Sequence, residues 1–175
     1  MAKLPSPFPL PLSRKWQEDG HSGVDWARVA GASLGTAIRA SGPGVVTFDG
    51  LLNPRSGHVT TVTYDNGVVA MYCHRQAGSG LKKGTRVSEG TVIAYVGYTG
   101  NVIPSGSAGA HLHLEAYVNG RLVNPGLYFD FNRVVRQGSP AGPGPGPSPI
   151  IPAPTNPIQE DQMYIAVVTH GAIQG

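Results

Sequence analysis

The chain has 175 residues, room for one domain of ordinary size and a tail. Its 25 glycines and 16 prolines make up roughly a quarter of the sequence, about twice average usage, while charged residues are only 13%. The net charge of +3 forms no basic cluster of the kind nucleic acid requires, the single cysteine excludes an internal disulfide, and no apolar run approaches the roughly 18 residues of a membrane span.

Residues 1–12 carry Pro5, Pro7, Pro9 and Pro11 and read as an extended lead-in. The same prolines break the early apolar stretch, so no signal peptide is recognisable. From Ser13 to Arg136 the texture changes to short runs rich in Val, Thr, Ile and Tyr, punctuated by glycine. Trp26–Ser41 is the one stretch that could hold a short helix, and Gly31 and Gly35 weaken it. Val45–Phe48, His58–Tyr64, Val68–Tyr72, Thr91–Val96 and His111–Val118 read as strands. Asp65-Asn66-Gly67 and Asn119-Gly120 are hairpin signals, because both residues of an Asn-Gly turn take positive φ. The expected fold is mostly β, an antiparallel sandwich or groove over residues 13–136 with a short helix or loops. Half of the prolines then fall in residues 137–157, a semi-stiff Pro/Gly-rich linker. Residues 158–175 offer one strand-like run, Met163–Thr169. Eighteen residues cannot make a domain, so this run either docks on something or begins a further module.

The histidines carry the chemistry. His21 and Asp25 stand four apart in Gly20-His21-Ser22-Gly23-Val24-Asp25. On a straight strand they would be about 13 Å apart, too far to share one ion, but Gly23 permits a bend or bulge that brings them together. In Ala110-His111-Leu112-His113-Leu114-Glu115, strand alternation puts His111 and His113 on one face and the leucines on the other. Two imidazoles roughly 7 Å apart can both border a metal, one as ligand and one as acid or base. Tyr72-Cys73-His74 ends the strand that leaves Asn66-Gly67. His21, Asp25 and one of the paired histidines would offer Zn²⁺ two nitrogens and one oxygen. That leaves a fourth position for water, the ligand count of a catalytic site.

Several motifs follow one another in order between Gly20 and Tyr128. They are His21-Ser22-Gly23-Val24-Asp25, Gly35-Thr36-Ala37-Ile38-Arg39-Ala40, Gly44-Val45-Val46 and Tyr72-Cys73-His74. Gly84-Thr85-Arg86-Val87-Ser88-Glu89-Gly90, Val96-Gly97-Tyr98-Thr99-Gly100, His111-Leu112-His113-Leu114-Glu115 and Val123-Asn124-Pro125 complete the set. In that order they resemble the lysostaphin/LytM-type zinc metallopeptidases of the Duplicated hybrid motif fold, which cut peptidoglycan peptides. The resemblance implies His21, Asp25 and His113 as zinc ligands. It implies His74 and His111 as non-ligand histidines that activate water and stabilise the tetrahedral intermediate. By the same resemblance the cofactor is Zn²⁺ and the substrate a peptide bond in the stem or cross-bridge of bacterial peptidoglycan. Two departures stand out: the loop from Gly100 to His111 is longer than usual, so the cleft rim should differ, and no long inhibitory segment precedes His21.

Absence of a leader, a compact catalytic domain and the linker suggest a phage lysin or virion-associated wall-degrading protein. In that reading the linker joins the enzyme to a wall-binding or tail module. The rival is a non-catalytic wall-binding or regulatory module on the same fold; such members usually lose zinc ligands, and all are kept here.

Glu115 either orients a ligand histidine or forms a rim ion pair with an arginine. Cys73 is expected to pack as a small apolar residue on the face opposite Tyr72 and His74. His58 reads as structural at a strand start, and His170 has no partner to argue from. Trp16 and Trp26 flank the first ligand segment and serve packing more than the cleft wall.

Overall fold

The structure is a computed structural model that describes residues 2–9, 11–27 and 33–136. The linker 137–157, the run Met163–Thr169 and His170 lie outside the described residues.

Eleven strands are formed among the described residues: β1 Leu4–Ser6, β2 Val24–Ala27, β3 Ala37–Arg39, β4 Gly44–Asn53, β5 Gly57–Tyr64, β6 Val69–Cys73, β7 Arg86–Val87, β8 Val92–Tyr95, β9 His111–Val118, β10 Arg121–Val123 and β11 Phe129–Val134. Seven build one antiparallel sheet in the order β10-β9-β6-β5-β4-β7, with β2 also paired to β9. One edge of β9 is taken by β6. The other edge is shared: β2 lies against its first half, with Asp25 opposite His113, and β10 against its second half. Two small sheets, β3 with β8 and parallel β1 with β11, complete the fold.

Side-chain alternation sorts the main sheet into two faces. Leu112, Leu114 and Ala116 of β9, Tyr72 of β6 and Trp26 of β2 face inward and are fully buried with Ile38, Ile93 and Phe129. Within this core the Tyr64 and Tyr72 hydroxyls are hydrogen-bonded at 2.6 Å, and Tyr64 also accepts the Ser41 N–H. The opposite face carries a smaller apolar cluster of Val59, Met71, Cys73 and Tyr117. His111, His113 and Glu115 share that face with Tyr117 by the same alternation.

The helix expected within Trp26–Ser41 does not form where the chain is described. Trp26 and Ala27 close β2, Gly35 takes φ 75° in a turn, and Ala37–Arg39 form β3. The backbone groups a helix would satisfy internally are paired here with Leu112 and His111 of β9, and Trp26 packs edge-on against Phe131. Residues 28–32 of that stretch lie outside the described residues.

The two Asn-Gly turns differ. Asn119 and Gly120 both take positive φ, at 51° and 73°, as a two-residue hairpin turn requires. At the other turn only Gly67 does so, at φ 85°, because Tyr64 N–H donates to the Val68 carbonyl and leaves a three-residue loop.

Strand β4 runs beyond Val45–Phe48 to Asn53, with register shifts at Val46/Phe48 and Leu51/Asn53. The proline-rich start is held by the fold. β1 pairs with β11, and Phe8 is fully buried in the main core beside Trp26. Phe8→Ala is therefore expected to cost about 3 kcal/mol or more of folding stability in urea titration. Unchanged stability would mean that the segment before Ser13 contributes nothing to the core.

Candidate active site

His21 enters through a tight turn in which Gln17, Asp19 and Gly20 all have positive φ. Gly23 then lets β2 lie close against β9. A Cβ at Gly23 would stand 2.3 Å from the Leu114 carbonyl oxygen and 2.8 Å from His113 Cε1. This approach brings His21 and Asp25 together from a spacing of four, with His21 Nε2 at 3.2 Å from Asp25 Oδ1. His113 Nδ1 completes a triangle, 2.8 Å from Asp25 Oδ1 and 3.0 Å from His21 Nε2.

Each ring is fixed through its other nitrogen. His21 Nδ1–H donates to the Lys15 carbonyl at 3.1 Å, which leaves Nε2 as the lone pair. His113 Nε2–H donates to Glu115 Oε1 at 3.3 Å, which turns Nδ1 toward Asp25. Glu115 is itself held by Ser22 Oγ at 2.6 Å and by the Tyr117 hydroxyl at 2.5 Å.

Two ring nitrogens and a carboxylate oxygen so close together repel unless a positive charge sits among them. Burial disfavours charge on His113, yet its hydrogen bonds to Asp25 and Glu115 push the ring up to about 9. Burial likewise opposes the charge of Asp25, and the neighbouring His113 and His21 rings outweigh it, holding the carboxyl well below the usual range. Glu115 is lowered against burial by His113, Ser22 and Tyr117. The cluster thus stabilises a cation. Donors placed tetrahedrally around zinc at its usual bond lengths are about 3.3 Å apart, within a few tenths of the separations found here. His21, Asp25 and His113 are the one such group among the described residues.

His74 and His111 stand beside this triangle. Their ring centroids are 4.7 Å apart, and His74 is 5.9 Å from His113. His74 Nδ1–H donates to the Thr99 carbonyl at 2.9 Å and His111 Nδ1–H to the Gly109 carbonyl at 2.7 Å. In the neutral ring of each, this donation leaves Nε2 as the lone pair. Burial, reinforced by neighbouring His111, pushes His74 down to about 4.

Strand alternation predicts His74 on the face of Tyr72, away from Cys73. The backbone of His74 instead takes φ 60° and returns its ring to the side of His113. Such a conformation costs a non-glycine residue about 1–3 kcal/mol. Cys73 itself is buried opposite Tyr72, and burial pushes its thiol up, so it serves packing.

These side chains line a cleft of about 600 Å³. Its rim includes Asn101, Ile103, Pro104 and Ala108 from the long loop before β9. Trp16 and Trp26 pack on the core and do not line it.

The family model for peptidase family M23 matches residues 19–125. The chain belongs to this family. M23 includes the LytM- and lysostaphin-type enzymes and is a family of zinc metallopeptidases. The M23 match is supported by the DD-carboxypeptidase/endopeptidase Mpg of Neisseria meningitidis, 38% identical over 126 residues, 70% of this chain and 26% of the relative. The peptidoglycan DD-endopeptidase ShyC of Vibrio cholerae is 36% identical over 109 residues, 62% of this chain and 23% of the relative. A zinc-containing peptidase from Vibrio cholerae superposes with a TM-score of 0.53 at 25% identity, covering 70% of this chain and 39% of that one. The chain spans about a quarter of the length of these curated relatives.

Arg14 and Arg55 also line the M23 cleft, and sequence reading passes over both. Neither belongs to a motif, and only the folded walls bring them to the site. Ser22 stands inside the first motif with no role assigned to it there, and Tyr117 shares the strand alternation of His113 and Glu115. Gly23→Ala is expected to destabilise the protein by about 1–3 kcal/mol and to shift the imidazole NMR signals of His21 and His113. Unchanged stability and signals would show that the close approach of β2 to β9 is not required.

Proposed function

We propose that this chain is the catalytic unit of a zinc-dependent endopeptidase that hydrolyses peptide bonds in bacterial peptidoglycan. The observation that carries the reading is the triangle of His21 Nε2, Asp25 Oδ1 and His113 Nδ1 with two further histidines beside it. In this reading His21, Asp25 and His113 hold the metal, and Glu115 orients His113 through Nε2. Bound zinc would supply a Lewis acid that polarises the scissile carbonyl and acidifies water toward neutrality.

His74 and His111 move the protons. Donation from each Nδ1 to a backbone carbonyl fixes the tautomer, so each Nε2 can accept a proton from the attacking water and return it to the oxyanion or the leaving amine. As water adds to the carbonyl carbon, one imidazole takes its proton at Nε2, and as the C–N bond breaks that proton passes to the leaving amine nitrogen. The backbone strain at His74 favours this catalytic reading over a non-catalytic module. A binding module would gain nothing from returning that ring to the metal side.

The names of Mpg and ShyC support a DD-linked peptide as substrate. The Pro/Gly-rich composition of residues 137–157 supports a tether to a further wall-binding module, as in a phage lysin.

The purified protein is expected to carry about one zinc. Chelation should abolish hydrolysis of muropeptides and leave the far-ultraviolet dichroism intact, because the main core lies on the other face of the sheet. Alanine at His21, Asp25 or His113 should remove the zinc. Alanine at His74 or His111 should keep it and lower turnover by about 10²- to 10⁴-fold. A metal-free preparation with full activity would overturn the proposal.

A further inference from the structure

The cleft has an uneven charge. Asp25 is the one acidic residue among its described lining residues, and its carboxylate is taken up by His21 and His113. Arg14 and Arg55 line the same cleft from different walls. Arg14 is bridged to Asp25 along the outer edge of β2, and its guanidinium donates to the Glu18 carbonyl. Arg55 comes from the β4–β5 turn, one residue before Ser56, whose carbonyl accepts the His74 N–H.

The Arg55 backbone is pinned on both sides. Its N–H donates to Asn53 Oδ1, and its carbonyl accepts the Asn101 N–H from the rim loop. Its exposed guanidinium has no ion pair or hydrogen bond among the described residues. An uncommitted guanidinium on a fixed backbone, in a cleft short of acids, is suited to receive a carboxylate.

We infer that Arg55 is a specificity-determining residue that anchors a carboxylate of the wall peptide next to the scissile bond, with Arg14 adding positive charge to the same cleft. The inference rests on the reading of the chain as a wall peptidase and names the substrate feature its cleft selects. Stem peptides offer that carboxylate from two sources, the free C-terminus of an acceptor strand and the side chain of the diamino acid. A planar guanidinium binds either one in the same bidentate way.

The test uses the zinc-loaded full chain and four synthetic DD-linked stem peptides: both carboxylates free, the terminus amidated, the side chain amidated, and both amidated. Binding of the corresponding uncleavable peptides is measured by calorimetry beside kcat/KM. The parent protein is expected to prefer the free peptide over the doubly amidated one. Arg55→Gln should reduce that preference roughly tenfold to a hundredfold, chiefly through KM and the binding constant. The singly amidated peptide that reproduces the loss identifies the source, and either source supports the inference.

Arg55→Lys should restore part of the preference, because it keeps the charge and loses the fork. Equal preference in the parent and Arg55→Gln would overturn the inference while leaving hydrolysis itself in place. Binding that discriminates without cleavage of any peptide would instead uphold the carboxylate site and overturn the enzymatic reading.

Discussion

A slip of one residue between β2 and β9 would carry Asp25 out of the cleft and Val24 into it. The side-chain period of a strand is two, so register decides which face a residue serves. The register found here sets Asp25 opposite His113 and Trp26 opposite Leu112. The hydrophobic effect enforces it. Val24, Trp26, Leu112 and Leu114 are almost wholly removed from water on the inner face, and a slip of β2 would turn Val24 and Trp26 out of it while β6 holds β9 in place. The polar triangle on the outer face is therefore positioned by apolar packing behind it. Gly23 permits the close approach and the core penalises any other alignment.

Around that register the histidines follow one rule. Every ring in the cleft gives one N–H to a fixed acceptor: Lys15, Thr99 and Gly109 carbonyls for His21, His74 and His111, and Glu115 for His113. His113 is the exception in both atom and partner. It is tied through Nε2 and to a carboxylate, and it is the ring pushed up, whereas carbonyl-tied, buried His74 is pushed down. Neighbouring imidazoles in one cleft are thus prepared for opposite tasks by what stands behind them, cation binding in one case and proton exchange in the other.

Much of this was legible in the sequence, and the gaps have physical causes. Alternation in His111-Leu112-His113-Leu114 correctly separates a polar face from a buried one, because β9 is a regular strand with a partner on each edge. The same rule fails one strand away at His74, where a left-handed backbone overrides it, and nothing in Tyr72-Cys73-His74 announces a positive φ. Where Trp26–Ser41 is described, strands stand in place of the expected helix, because Trp26 and Ala27 pair with β9 and Ala37–Arg39 with β8. β1 escapes notice among prolines, since its pairing partner β11 lies more than a hundred residues away. Arg14 and Arg55 carry no pattern at all. Their meaning is given only by the cleft wall on which the folded chain leaves them.

The partner behind each imidazole decides which nitrogen faces the cation. Anomalous diffraction at the zinc edge from crystals of the metal-loaded protein would show which nitrogens these are. One ion is expected, bound by His21 Nε2, Asp25 Oδ1 and His113 Nδ1, with His74 and His111 outside the coordination sphere and still donating through Nδ1 to Thr99 and Gly109. An ion bound by His111 or His74, or by His113 through Nε2, would contradict it.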